Sequence, residues 1–524
     1  VKLSPPPGLW SDATVVDDPP RWRTGWNVRW RNGRAQTMGL YRPLRVLGGG
    51  PVTVPIDSKG PARLVLIASR ADKAQVLIGT LNGLFVLEPD AGSTLSTGTR
   101  WMLSDITPAG LATLTDPITP SLGRVKNAPF WFAVVLGNAI FVARGGQNEV
   151  PFIWDRDPAH VATAITGAPK YAIGGFVTDD KHLVLLGCES PDVTQQHELT
   201  FRWADQASYD GWPITTVGSA GDGQVTGCSR LVGGGWTSFG GAMWTDNQLW
   251  FLKPTGELEN VMSWSIESPD GGLLAPNLWC EHGGALWWIA QDVTLRRYQG
   301  GTVETIPCTV ARETLEIISR ESAHRAFMHS VGQFGEIWIW CPNGEGQEAD
   351  VAAVWSDRER CWTIAREQRR CMCDRIGVLR PLAIDQSGQV LEHEAAIVDD
   401  TPSWANDQPL TRTWSLRSSL FVPPIQAPEV ESAEVYRIIA DLFRTSIPGD
   451  EGAVTTITIW AYDWFRRNIT RRAAAAYNWV TATDEQGTRL GGHSFELQME
   501  GNDRTETRIG DIWLAMKETP AERK

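Results

Sequence analysis

A chain of 524 residues exceeds one ordinary domain, and its 42% apolar and 21% charged residues describe a soluble protein with a well-packed core rather than a disordered one. A net charge of −13 argues against a protein that wraps DNA with a basic face, since phosphates are held by neutralising cations, and is compatible both with an acidic wall past which DNA slides and with ordinary solubility. Twenty-six tryptophans recur along the whole chain, as in many-stranded β proteins and large subunit interfaces, where a ring is half buried and its polar end is met.

The N-terminal stretch VKLSPPPGLWSDATVVDD has no apolar core of the kind a secretion signal needs. In GWNVRWRNGRAQTMG, Gly25 to Gly39, the residues Trp26, Val28 and Trp30 alternate with Asn27, Arg29 and Arg31, the period-two signature of a strand with one buried face. Asn32-Gly33 then supplies two residues that accept positive φ, so a tight hairpin is predicted rather than a base-stacking strip.

From Arg63 to Glu394 one unit keeps returning: an apolar strand, a Gly/Asn/Asp turn and a second apolar or aromatic strand. It begins near Arg63 (RLVLIASRADKAQVLIGTLNGLFVL), Phe130 (FWFAVVLGNAIFVARGG), Lys181 (KHLVLLGC) and Trp236 (WTSFGGAMWTDNQLWFL). Further copies begin near Leu278 (LWCEHGGALWWIAQDVTLRRY), Phe334 (FGEIWIWCPN) and Pro381 (PLAIDQSGQVLEHE). Steps of roughly 45–65 residues fit one four-stranded blade per repeat with loop insertions. Radial repetition leaves only short, protected strand edges, so the predicted fold class is all-β: a β-propeller of about seven blades, with six or eight as neighbouring possibilities. The longest apolar run, Phe130–Ala143, is split by Gly137-Asn138 and falls short of the roughly 20 residues of a spanning helix, so no membrane-spanning segment is expected. Ala311–Ser330 lacks Gly and Pro, carries Leu315 and Ile318 at helical spacing, and predicts a helix packed between two blades.

The texture changes near the linker-like AAIVDDTPSWANDQP. The stretches TRTWSLRSSLFV, ESAEVYRIIADLF, AVTTITIWAYDWF, GHSFELQMEGN and TRIGDIWLAM then predict an antiparallel, β-sandwich-like domain. The expected organisation is an N-terminal segment with the hairpin (1–55), the propeller (56–397) and the C-terminal domain (398–524), the hairpin packing on either of the others or completing the ring.

No constellation amounts to an active site. Eight scattered cysteines form no disulfide framework, and Cys371 and Cys373 would share one strand face, closer in sequence than a zinc knuckle requires. SYDGW, Ser208–Trp212, is like the Asp-box turn of propeller sialidases, but its Trp follows the Gly directly, no second copy exists, and no arginine triad can be picked out. Asp17-Asp18, Asp179-Asp180 and Asp399-Asp400 suit exposed turns rather than carboxylates facing across a cleft. Cys280-Glu281-His282 stands alone, GGG at Gly48–Gly50 and Gly233–Gly235 suits loops, and no H-E-x-x-H, phosphate loop, dinucleotide fingerprint or G-x-S-x-G elbow is present. No catalytic residue, cofactor or metal is therefore predicted, and the chain is not expected to be an enzyme. One basic patch stands out: Arg466, Arg467, Arg471 and Arg472 in WFRRNITRRAAAAYNW, a solvated loop or short helix, or else a contact for an acidic partner surface or passing phosphates.

Taken in order, GWNVRWRNGRAQTMG, DITP (Asp105–Pro108), PFIWD (Pro151–Asp155) and FRWADQASYDGW (Phe201–Trp212) resemble a family of tailed-phage virion proteins. GLLAPNLWCEHGGALWWIAQD, YQGGTVETIPCTV, DQSGQVLEHE and RIGDIWL (Arg508–Leu514) continue the likeness over essentially the whole chain. The chain is similar to the tail nozzle, or tubular tail protein B, of short-tailed bacteriophages. That resemblance implies a propeller with further β domains and a homohexameric ring below the head–tail adaptor protein. It also implies non-specific passage of double-stranded DNA through the ring, with tail fibres, tailspikes or a distal plug around it. The protein would be made in the bacterial host cytoplasm and end in the virion tail, and the family offers no catalytic residues to carry over. The alternative is a propeller-type tail hub or adhesin that binds or cleaves host-surface glycan. It requires a cleft lined by exposed Trp and facing carboxylates, whereas a ring component loses many of its Trp into core and subunit contacts.

Overall fold

A computed structural model describes residues 2–12, 20–70, 73–91, 100–114, 130–145, 149–191, 197–214, 218–257, 259–319, 322–343, 348–374, 380–395, 412–421, 430–444, 455–463, 470–479, 485–503 and 507–520. Seven four-stranded antiparallel sheets dominate it. Their first strands are Ala62–Arg70, Phe130–Leu136, Gly174–Val177, Leu231–Thr237, Trp279–His282, Phe327–Val331 and Cys371–Cys373. These strands neighbour one another in turn, with Leu231–Thr237 meeting Trp279–His282 where Gly235 lies against the Trp279 ring, and Cys371–Cys373 returns to Ala62–Arg70, so the sheets are blades 1 to 7 of a closed β-propeller. Blade 7 is completed by Leu40–Pro43, which pairs with Val390–Ala395 in the register Arg42↔Glu392. Residues 40–43 thus serve the propeller although they precede residue 56.

The abundance of Trp and Gly has a common cause in the packing between blades. A Cβ on Gly79 of blade 1 would lie 2.7 Å from the Trp131 ring of blade 2, and one on Gly241 of blade 4 would lie 2.5 Å from the Phe176 ring of blade 3. A Cβ on Gly235 would lie 2.3 Å from the Trp279 ring of blade 5. Large rings on one blade fill the space that glycine leaves on the next, which close-packs flat sheets around an axis. Most of the 26 tryptophans are accordingly buried.

Both chain ends build the second unit. One sheet orders Val28–Arg31, Arg34–Thr37, Thr507–Pro520, Val430–Arg444 and Glu485–Gly492, with Lys2–Leu3 paired to Thr507–Pro520. The other orders Trp22–Trp26, Arg412–Ser418, Ser494–Asp503, Thr455–Asp463 and Thr470–Trp479. Val28, Trp30, Val435 and Ile512 from the first meet Leu416, Ile457 and Leu497 from the second in one core, a β-sandwich. Apart from Ala395, the linker-like segment lies outside the described residues.

The opening hairpin forms as expected, with Asn32 at φ 52° and Gly33 at φ 73° between the paired Arg31 and Arg34. Its alternation is not core against solvent, however. Val28 and Trp30 enter the sandwich core, while Arg29, 3% exposed, forms a 2.9 Å ion pair with Glu336 of blade 6. Trp338 donates to the same carboxylate at 3.0 Å. Asn27 takes the Ile364 carbonyl at 2.8 Å, so the sandwich sits along the outer strand of blade 6 and covers its edge.

The described residues of Ala311–Ser330 do not form the expected helix. The segment makes three single 3₁₀ turns, Ala311–Glu313, Leu315–Ile317 and Ala323–Arg325, and its end belongs to the inner strand Phe327–Val331. Thr314 leaves helical geometry at φ −137°, ψ −89°, and its hydroxyl donates to the Val310 carbonyl at 2.7 Å. Ser319 and Ser322 close a further local turn at 3.0 Å. Such side-chain bonds compete with a continuous helix, and pairing of Phe327–Val331 with Glu336–Pro342 decides the outcome.

Candidate functional site

Every blade starts at the axis. The turns between first and second strands therefore open on one face, here the front, and the links between blades lie on the back. Between the mouths lies a cavity of about 440 Å³, lined by Leu64, Leu66, Phe132, Gly175, Trp236 and Trp279 from blades 1 to 5.

At the back mouth three arginines converge on Glu348. Arg63, at the start of blade 1, binds both carboxylate oxygens at 2.8 and 2.9 Å. Arg370, from the link into blade 7, adds a bond at 3.0 Å, and Arg325, from the link into blade 6, stands at 3.9 Å. Burial pushes the Glu348 carboxyl up, but Arg63, then Arg370 and Arg325, outweigh it and hold the group below the usual carboxylate range. Three arginines thus meet one carboxylate, but it is the protein's own and not a ligand's, so the cluster is not the sialic-acid triad that the sequence did not offer. Its members lie too far apart in the chain for a local pattern to reveal it.

The front mouth carries an open cleft of about 630 Å³ between blades 3, 4 and 5, lined by Asp179, Trp236, Ser238, Phe239, Lys253 and Glu281. Asp179-Asp180 sits in the turn after Gly174–Val177, as expected, yet Asp179 and Glu281 line the same cleft, which sequence adjacency did not suggest. Gly233–Gly235 is not loop but part of the inner strand of blade 4, whereas Gly48–Gly50 does lie outside regular structure.

The other singled-out residues take up defined local positions. In Ser208–Trp212 the Ser208 hydroxyl donates to Asp210 at 2.8 Å and accepts from the Gly211 amide at 2.9 Å, and the buried Trp212 anchors the turn through the Tyr209 carbonyl at 2.8 Å. Cys280, Glu281 and His282 share one strand; burial raises the Cys280 thiol and Glu281 accepts from the Ser238 amide. Cys371 and Cys373 pack into one core, burial pushing the Cys373 thiol up to about 12. Among the described residues no group of three or more His, Cys, Asp or Glu is placed to hold a metal ion, and no helix is long and apolar enough to cross a membrane.

Of the basic patch, Arg466 and Arg467 lie outside the described residues, as do Asp17-Asp18 and Asp399-Asp400. Arg471 and Arg472 are on Thr470–Trp479, the outer strand of its sheet, with Arg471 opposite Tyr462. This corrects the loop-or-helix expectation: pairing with Thr455–Asp463 overrides the helix preference of the alanine run.

Histidines also fall in the joint between blades 6 and 7. His329 is buried, both ring nitrogens lack a hydrogen-bond partner among the described residues, and burial lowers its pKa to about 3. His393 is held well below the ordinary value by burial and then by Arg369, which donates to its Nε2 at 2.7 Å.

No known family model and no curated protein matches the chain. Among solved structures it is similar to BBS1N crystallised with ARL6DN, at 12% identity over 68% of this chain and 98% of that one, TM-score 0.35. It is similar to the WD40 β-propeller domain of Doa1 at 9% identity over 67% and 96% of the two chains, TM-score 0.35. It is also similar to YCF48 bound to D1 peptide, at 12% identity over 75% and 94%, TM-score 0.26. At these identities and scores the likeness extends no further than propeller architecture.

Proposed function

We propose that this chain is a structural virion protein, the nozzle of a short phage tail, forming a homohexameric ring below the head–tail adaptor through which the genome leaves. Fibres, tailspikes or a plug attach to that ring. The observation that carries the reading is the ordered series of motifs along the whole chain, three of which pin or join parts of the fold. The hairpin Gly25–Gly39 lies between sandwich and blade 6, Ser208–Trp212 anchors a blade turn, and Arg508–Leu514 brings Ile509, Ile512 and Leu514 into the sandwich core. Burial of most tryptophans supports a ring component over a glycan-cleaving one.

A cavity of about 440 Å³ along the propeller axis is of small-molecule size, which supports a conduit for a duplex between copies rather than through one propeller. A net charge of −13 keeps passing phosphates from being gripped by counterion release. The test is the native mass of the purified chain, alone and with the adaptor. A six-copy ring with the adaptor is expected; a chain that stays monomeric with it overturns the reading. Within such a ring, acidic residues lining the lumen changed to Lys are expected to slow ejection, and unchanged ejection kinetics would remove the electrostatic part of the account.

A further inference from the structure

We infer that the front cleft between blades 3, 4 and 5 binds a neutral oligosaccharide. The cleft measures about 630 Å³, within the size range of small-ligand sites. Its aromatic surfaces are fixed in place. Trp236 donates Nε1 to Asp179 Oδ1 at 2.9 Å and leans on Phe176 at 6.0 Å, while Phe239 meets the Tyr298 edge at 5.2 Å and stacks on Phe251 at 6.1 Å. Held rings lose little freedom when a ligand lands on them.

Around these rings stand polar groups of both kinds. Among the described residues, the second carboxylate oxygen of Asp179, the Ser238 hydroxyl and the Lys253 ammonium make no hydrogen bond or ion pair within the chain. Glu281 accepts from the Ser238 amide at 3.3 Å through each oxygen and keeps lone pairs for a ligand. Gly240, at φ 117°, lets the turn run under the Lys253 stem: a Cβ there would lie 3.2 Å from Lys253 Cγ and 3.0 Å from the Leu252 carbonyl oxygen.

This chemistry fits a polyol with an apolar face. Sugar hydroxyls both donate and accept, so carboxylates, a hydroxyl and an ammonium together can engage them while the C–H face lies on Trp236 and Phe239. Strand addition by a peptide does not suit the site, because the turn's amides are taken: Ser238 by Glu281, and Phe239 by the Thr237 hydroxyl at 3.2 Å. Two carboxylates against one ammonium disfavour nucleic acid and acidic glycan. The inference does not depend on ring formation, since one chain supplies every group.

The test titrates the intact chain by calorimetry with maltohexaose, cellohexaose, the N-acetylglucosamine hexamer and, as the acidic control, the galacturonic acid hexamer. At least one neutral hexasaccharide is expected to bind saturably at one per chain, and more tightly than the acidic control. Lys253→Ala and Asp179→Asn are each expected to weaken that binding about tenfold or more while the melting temperature stays put. Absence of binding by all three neutral probes, equal binding of the acidic one, or wild-type affinity in both variants overturns the inference. Ring formation is read separately from native mass, so failure here and failure of the nozzle reading are told apart.

Discussion

The two mouths of the propeller hold similar groups in opposite states. At the back, Glu348 is enclosed by Arg63, Arg325 and Arg370, and their side chains are 11%, 6%, 2% and 15% exposed. At the front, Asp179, Glu281 and Lys253 surround rings that are firmly held, and none of the three charges is paired with an opposite one among the described residues. Charge that a chain satisfies internally holds the fold together; charge left open over an ordered aromatic surface is available to something outside it. The sequence has carboxylates and cations in both places, and only the topology separates the two uses.

The largest effect is expected at the back mouth. Glu348→Ala leaves three buried or nearly buried arginines facing one another where blades 6, 7 and 1 meet, and breaking a buried pair of this kind destabilises by about 3–5 kcal/mol. Urea unfolding of the variant checks this; a loss below about 1 kcal/mol would mean that the cluster does not hold the ring closed.

A smaller, pH-dependent effect is expected in the joint of blades 6 and 7. His329 stays neutral in the folded protein down to about pH 3, while in the unfolded chain it takes up a proton near its ordinary value of 6.5. Between those values the unfolded state binds more protons, so stability falls as the pH drops below about 6.5 and the loss accumulates towards about 3. Thermal melts across that window should show a shallower slope for His329→Phe than for the wild type. Parallel slopes would exclude the residue as a source of acid sensitivity.

The smallest effect on stability belongs to the front mouth. Lys253→Ala and Asp179→Asn should each change unfolding free energy by no more than about 0.5 kcal/mol, as surface substitutions away from caps and cores do. A loss comparable to that of Glu348→Ala would erase the contrast between the mouths.

The sequence showed the blades best where their middle strands are aromatic, as in Leu249–Pro254, Ala285–Ile289 and Glu336–Pro342, each bounded by polar turns. It showed the inner strands least. Gly174–Val177 and Cys371–Cys373 are short and face the axis, and Leu231–Thr237 carries three glycines that make room for neighbouring rings; none of these has the alternation of a half-buried strand. Ring completion from the N-terminal segment was one expectation for the hairpin, but the strand that closes the ring is Leu40–Pro43, and its partner was illegible: the Arg42–Glu392 contact joins residues 350 apart, and no local pattern encodes such a pairing. The cleft was partly visible, with Asp179 noted as a turn and Trp236 and Glu281 within repeats. Lys253 drew no attention because a single exposed lysine carries no signal until the fold sets it beside them.

The central claim is that these propellers are parts of a ring whose conduit lies between copies. Negative-stain class averages of the purified chain with its adaptor test it most directly. The account predicts six propellers around an axial opening about as wide as a DNA duplex. Isolated single propellers in the presence of the adaptor would contradict it.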